Sequence, residues 1–149
     1  MGPGIAAQGT SQTARHLPSV LNYVKRSIAA DQYQRIVTLG TSGGGFYAIV
    51  AAILLDGASG VSIGGAAPKT SLGFRLRWQL AYHRAFAERE PAFKFVYSAG
   101  HDVDRRAATA LQAVFGGKLR PVAGVTEHNA LAPLLARGEL AEFLNDILS

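Results

Sequence analysis

Residues 35–55 read RIVTLGTSGGGFYAIVAAILL, and the fold is decided by how this stretch is parsed. Arg35 to Leu39 is a short β-branched run that stops at a glycine, which predicts a strand. Phe46 to Leu55 is apolar on nearly every side and rich in alanine, which predicts a buried helix. Between them stands Gly40-Thr41-Ser42-Gly43-Gly44, a G-x-S-x-G pattern in a strand–turn–helix setting. A serine on so tight a turn has its hydroxyl thrust out of the sheet, on a backbone pushed toward strained dihedrals. Small residues two positions away let strand and helix pass closely. The helix aims its free N–H groups and positive dipole end at the same spot, so the Gly43 N–H is placed to stabilise an oxyanion. Ser42 is therefore the candidate nucleophile; the plainer reading is a packing turn with an inert serine.

On either side of this stretch the chain alternates helix and strand. Upstream, Leu17, Val20, Leu21, Val24 and Ile28 form one helical stripe within Thr13–Ala30, with Pro18 near its start where a proline is tolerated. Downstream, strands are expected at 60–64, 93–97 and 118–122, and helices at 104–115 and 131–148. Segment 65–91 interrupts the rhythm: Ala66-Ala67-Pro68 turns the chain, and a basic helical stretch with Trp78, Tyr82 and Phe86 follows. Strands separated by helices predict a single domain of α/β class, a three-layer αβα arrangement on a mostly parallel sheet. Ligands of such sheets bind beyond the carboxyl ends of the strands, here just after positions 39, 64, 97 and 122.

A serine hydroxyl is a weak nucleophile and needs a base, and the base needs an orienting group. Of the four histidines, His16 and His83 sit in helical stretches and read as surface positions, while His101 adjoins an acidic loop. His128, in Gly124-Val125-Thr126-Glu127-His128-Asn129, follows the last strand and precedes the closing helix, and is the expected base. After the third strand, Asp102 and Asp104 are both candidates for the acid. One of the two is expected to cap the helix that runs to Phe115.

Other loop chemistries are weaker. Gly43-Gly44-Gly45-Phe46-Tyr47-Ala48 fits a G-x-G-x-x-A dinucleotide fingerprint, but Val61 to Gly65 lacks the acidic residue that fingerprint wants. No G-K-[ST] phosphate loop occurs. The net charge is +5, yet Lys and Arg are spread from Arg15 to Arg137 without a long run or an aromatic ladder, so no nucleic acid partner is expected. Cys is absent, which removes disulfides, thiolate clusters and a cysteine nucleophile. The longest apolar run is about ten residues, half of what a membrane span needs, and the first residues carry no secretion signal. A cytoplasmic protein with no membrane span, no metal and no cofactor is the expectation.

Ser42 in its glycine turn, an aspartate after a later strand and a histidine after the last strand stand in the order Ser…Asp…His, which resembles the α/β-hydrolase fold superfamily from the nucleophile elbow onward. The resemblance implies a truncated α/β-hydrolase-like domain with Ser42 as nucleophile, His128 as base, Asp102 or Asp104 as acid, and the Gly43 N–H as half of an oxyanion hole. It implies acyl transfer, with an ester or thioester as substrate. Stretch 65–91 lies where such proteins often insert a cap. Members carry several strands ahead of the elbow, one loop of which gives the second oxyanion donor; no His-Gly pair of that kind occurs here, and Thr126 and Glu127 replace small residues. A half sheet of this sort leaves an edge beside the elbow strand through which copies are expected to pair. A fragment or an inactive binding module has the same outline.

Overall fold

Val37 and Thr38 start a strand that the following glycine does not end. In the computed structural model, which describes residues 17–31, 33–55, 58–67, 69 and 91–149, strand β1 runs Val37–Thr41. Gly40 is inside it because a Cβ there would stand 2.2 Å from the Gly44 carbonyl oxygen; the strand continues through glycine because the next helix crosses directly against it. That helix, α2, is Gly43–Leu54. Its first turn is the glycine triplet, so it starts three residues earlier than the apolar run suggests. The remaining elements are β2 (Ser59–Ile63), β3 (Phe93–Ser98), α3 (Asp102–Phe115), β4 (Lys118–Val122), α4 (Leu131–Ala136) and α5 (Leu140–Leu148). The expected helix over 72–90 with Trp78, Tyr82, His83 and Phe86, the cap-like insertion 65–91 that holds it, and the segment with His16 lie outside the described residues apart from 65–67, 69 and 91.

The chain forms two compact units, residues 1–35 and 36–149. In the first, helix α1 spans Leu17–Asp31. Its half-buried positions Val20, Val24 and Ile28 recur at helical spacing, while Asn22, Lys25 and Arg26 are exposed.

In the second unit the four strands lie in chain order, β1-β2-β3-β4, and every pair is parallel. The sheet is therefore wholly parallel. Side chains alternate between its faces. Val61, Ile63, Val96 and Val122 point to one face and share a core with Leu134 of α4 and Ile147 of α5; the Lys94 ammonium reaches the Ile147 carbonyl at 2.9 Å. The other face takes α2 and α3. Thr38 Oγ1 donates to the Ala48 carbonyl at 2.7 Å, and Phe93 meets Phe115 edge-on at 6.2 Å. Helices on both faces make the three layers. A Cβ on Gly60 of β2 would meet the Phe93, Ala52 and Ile49 side chains at 3.0, 3.1 and 3.1 Å, tighter than ordinary contact, so α2 sits close over the central strands. β2 and β3 are buried on both sides, whereas β1 and β4 end the sheet and are partly exposed. Pro121, which cannot donate to a ladder, is on the end strand β4.

The expected closing helix 131–148 is two helices. Gly138 takes a φ of +72°, the Gly138 N–H donates to the Leu135 carbonyl and the Glu139 N–H to the Leu134 carbonyl. This is the left-handed stop that ends a helix by satisfying its last carbonyls. It turns α5 so that Phe143, Leu144, Ile147 and Leu148 return to the same core as Leu134. No described helix is long and apolar enough to cross a membrane.

Candidate active site

Ser42 joins β1 to α2 with φ 49° and ψ −125°, and it alone among the described non-glycine residues has a positive φ. Such a backbone costs about 1–3 kcal/mol and persists only where its surroundings hold it. Here the Ser42 N–H donates to the Ile63 carbonyl at 2.8 Å, which prolongs the β1–β2 ladder by one bond. The Ser42 carbonyl accepts from the Gly45 N–H at 3.0 Å, within the first turn of α2. The side chain is left exposed at the carboxyl end of the sheet. The Gly43 N–H is the first of α2, one of the N-terminal donors that have no carbonyl a turn earlier in the helix to bond, and it lies at the positive end of the helix dipole.

The glycines around it do unequal work. Gly40 is sterically required, but a Cβ on Gly44 would meet nothing within 4 Å. The second close approach is one residue later: a Cβ on Gly45 would stand 2.5 Å from Ser62 Oγ and 2.8 Å from Gly65 Cα. The expectation that small residues are needed two positions to either side of Ser42 is thus corrected to Gly40 and Gly45. Gly43 and Gly45, the first glycines of the dinucleotide-type pattern, fall inside the helix and not in a loop ahead of it.

His128 comes from the loop after β4, and three bonds fix that loop to the end of β3. Ala99 N–H donates to the Val122 carbonyl, Gly100 N–H to the Val125 carbonyl, and the fully buried Ser98 hydroxyl to the Glu127 carbonyl, next to His128. The ring lies between the other two candidates. Ser42 Oγ donates to His128 Nε2 at 2.9 Å, and His128 Nδ1 donates to Asp104 Oδ1 at 2.8 Å. The carboxylate only accepts, so Nδ1 carries the proton and Nε2 is free to receive one. Gly64, with φ +60°, closes the site from below: a Cβ there would lie 3.2 Å from Asp104 Oδ2 and 3.3 Å from His128 Cε1.

The two aspartates part company. Asp104 is 3% exposed and holds the histidine. Asp102 is at the surface, paired with Arg105 at 2.8 Å, and touches neither Ser42 nor His128. Neither caps α3, contrary to expectation: the cap is His101, whose Nδ1 accepts from the Asp104 N–H at 3.3 Å. That same nitrogen is 3.1 Å from Asp104 Oδ1. One nitrogen cannot accept from the amide and donate to the carboxylate at once; with Nδ1 bare, two acceptors face each other. Asp104 Oδ2 is buried and has no hydrogen-bond partner among the described residues.

A cleft of about 480 Å³ opens beside Ser42 and His128, walled by Ile63, Leu131, Leu135 and Leu140, with Asn129 on its rim. The Asn129 Oδ1 accepts from the Leu131 and Ala132 N–H groups, which starts α4 at the cleft wall. The residues that sequence reasoning passes over are Gly45, Gly64 and Ser98. Gly64 stands in a glycine pair at a strand end, Gly64-Gly65, and Gly45 closes the glycine triplet after Ser42; Ser98 carries no such mark. Compared with family models, with curated proteins and with solved structures, the chain gives no match.

Proposed function

We propose that this protein is a serine hydrolase that cleaves an ester or thioester by way of an acyl-enzyme, in the manner of a truncated α/β-hydrolase. The observation that carries the reading is the continuous chain Ser42 Oγ–His128 Nε2, Nδ1–Asp104 Oδ1, at 2.9 and 2.8 Å, hung on a positive-φ serine. Ser42 attacks the carbonyl while His128 Nε2 takes its proton. The imidazolium is stabilised by Asp104 and gives the proton to the departing alkoxide or thiolate. Water then attacks the acyl-serine with His128 as base, and Ser42 recovers its proton. The Gly43 N–H faces the developing oxyanion; one such donor is typically worth about 10²–10³ in rate. The apolar wall of Ile63, Leu131, Leu135 and Leu140 suits an acyl chain better than a charged group.

The cytoplasm is the compartment proposed, from the cysteine-free sequence, and pairing of copies through the outer edge of β1 is proposed from its place at the end of the sheet. The reading is tested with short-chain acyl nitrophenyl esters and acyl thioesters on the wild type and on Ser42→Ala and His128→Ala. Hydrolysis that both substitutions abolish is expected. A folded protein that cleaves none of them is instead an inactive α/β-hydrolase-like binding module; a melting shift with a dinucleotide is the sign of a nucleotide domain.

A further inference from the structure

Asp104 is surrounded by more lone pairs than protons. Its Oδ1 receives the His128 Nδ1–H, but also faces the bare His101 Nδ1 at 3.1 Å. Its Oδ2 is buried without a partner. A buried acceptor left unmatched is costly, and a nitrogen lone pair turned toward a carboxylate adds repulsion. A cation on Oδ1 removes that repulsion and balances the charge of the buried carboxylate. The ligand atoms offered by His101, Asp104 and His128 all lie within 4.8 Å of one another, and the two imidazole nitrogens are 3.1 and 2.8 Å from the same carboxylate oxygen. Around a tetrahedral Zn²⁺ with bonds of about 2.1 Å, neighbouring donors are roughly 3.4 Å apart, so the two nitrogens at 3.1 and 2.8 Å move off Oδ1 by about 0.3 and 0.6 Å while all three donors stay within the 4.8 Å they already span. Two imidazoles and a carboxylate are a ligand set that borderline transition metals favour over Ca²⁺ or Mg²⁺. His101 and His128 are both partly exposed, which gives an ion a way in and leaves a fourth position for water.

We propose that His101, Asp104 and His128 form a binding site for one divalent transition-metal ion, Zn²⁺ or an ion of similar preference, and that its occupation disarms Ser42. The second half rests on the hydrolase reading above. To bind metal, His128 Nδ1 gives up its proton, and the proton goes to Nε2. The ring stays neutral but in the opposite tautomer. Nε2–H then donates to Ser42 Oγ where it formerly accepted, so the serine keeps its proton and has no base. The ion is an inhibitor that acts through the tautomer and leaves the fold in place.

The full-length protein, cleared of metal with a chelator, is titrated with Zn²⁺ by calorimetry and with Co²⁺ by ligand-field absorption. Three forms are compared: wild type, Ser42→Ala and His101→Asn. Asparagine keeps an acceptor for the Asp104 N–H, so the helix cap survives. One ion per chain with a tetrahedral Co²⁺ spectrum is expected for the wild type and for Ser42→Ala, and affinity lower by tenfold or more for His101→Asn. Zn²⁺ is expected to stop acyl-ester hydrolysis in proportion to occupancy, with chelator restoring it, and the midpoint to rise in His101→Asn by the same factor as the affinity falls. Absence of saturable binding overturns the proposal, and so does binding that His101→Asn leaves unchanged. Binding is read without activity: an ion held by a protein that hydrolyses nothing keeps the site and sinks the hydrolase reading, while hydrolysis that continues at saturating Zn²⁺ keeps the hydrolase reading and overturns the claim that the ion disarms Ser42.

Discussion

Replacing Asp104 by asparagine separates catalysis from stability. The side chain has two ways to sit. With its carbonyl oxygen in the Oδ1 place, it accepts from His128 as before, but it faces the bare His101 Nδ1 and buries an NH₂ with no acceptor where Oδ2 was. With its NH₂ in the Oδ1 place, it donates to His101 Nδ1, 3.1 Å away, and to His128 Nδ1, 2.8 Å away. The second arrangement satisfies more groups, so it prevails. It forces the His128 proton onto Nε2 and leaves Ser42 without a base. The expected loss in kcat is about 10⁴, the size of a wrong-tautomer defect, or about 5.4 kcal/mol of barrier. Stability should hardly move, because one orphaned oxygen is exchanged for another and a buried charge is removed; a shift of 1 kcal/mol corresponds to some 4 °C at this chain length. Asp102→Asn is the control. It breaks only an exposed pair with Arg105, worth about 0.2–1 kcal/mol, and should retain full activity. The assay is kcat on an acyl nitrophenyl ester, with Tm alongside. A folded Asp104→Asn that keeps activity within about tenfold, or an Asp102→Asn that loses about 10⁴, shows that Asp104 does not set the His128 tautomer.

Further outcomes follow from the packing. Gly45→Ala, whose new methyl meets Ser62 Oγ and the Gly65 backbone, should cost about 1–3 kcal/mol as an overpacked site. Gly44→Ala meets nothing and should be neutral or raise Tm slightly, since alanine suits a helix better than glycine; equal losses in the two variants refute the contrast. Ser98→Ala removes the hydroxyl that holds the Glu127 carbonyl, so His128 drifts and kcat falls by up to about 10², with KM little changed; a KM effect alone contradicts a positioning role. Ser62→Ala deletes a buried hydroxyl without a partner among the described residues and should leave Tm unchanged or higher, as denaturation by calorimetry would show.

Much of this architecture is legible in the chain because parallel strands buried on both faces write themselves as short β-branched runs, and each is followed by a turn or helix signal. The same signals mislead at glycines. Gly40 reads as the end of β1, yet the strand passes through it because α2 crosses there. Gly138 sits in an apolar pattern that continues on either side, so 131–148 reads as one helix until its left-handed backbone divides it. The choice between Asp102 and Asp104 looks undecidable from position after β3, but helical phase contains the answer. Ala108, Leu111 and Phe115 are the buried stripe of α3, and stepping back four residues from Ala108 lands on Asp104 and not on Asp102. What no pattern conveys is that His101 caps α3, or that Ser98 carries the His128 loop. The first is a contact between residues three apart that histidine, a weak capping residue, does not announce; the second depends on how the ends of β3 and β4 meet, between residues 29 apart in the chain.

The most direct test of the account is where a fluorophosphonate adduct forms on the folded protein. Intact mass followed by peptide mapping is expected to find one phosphonyl group per chain, on the residue 42 hydroxyl, formed at a rate that His128→Ala reduces by orders of magnitude. A folded chain that stays unmodified, or one modified elsewhere or at a rate indifferent to His128, contradicts it.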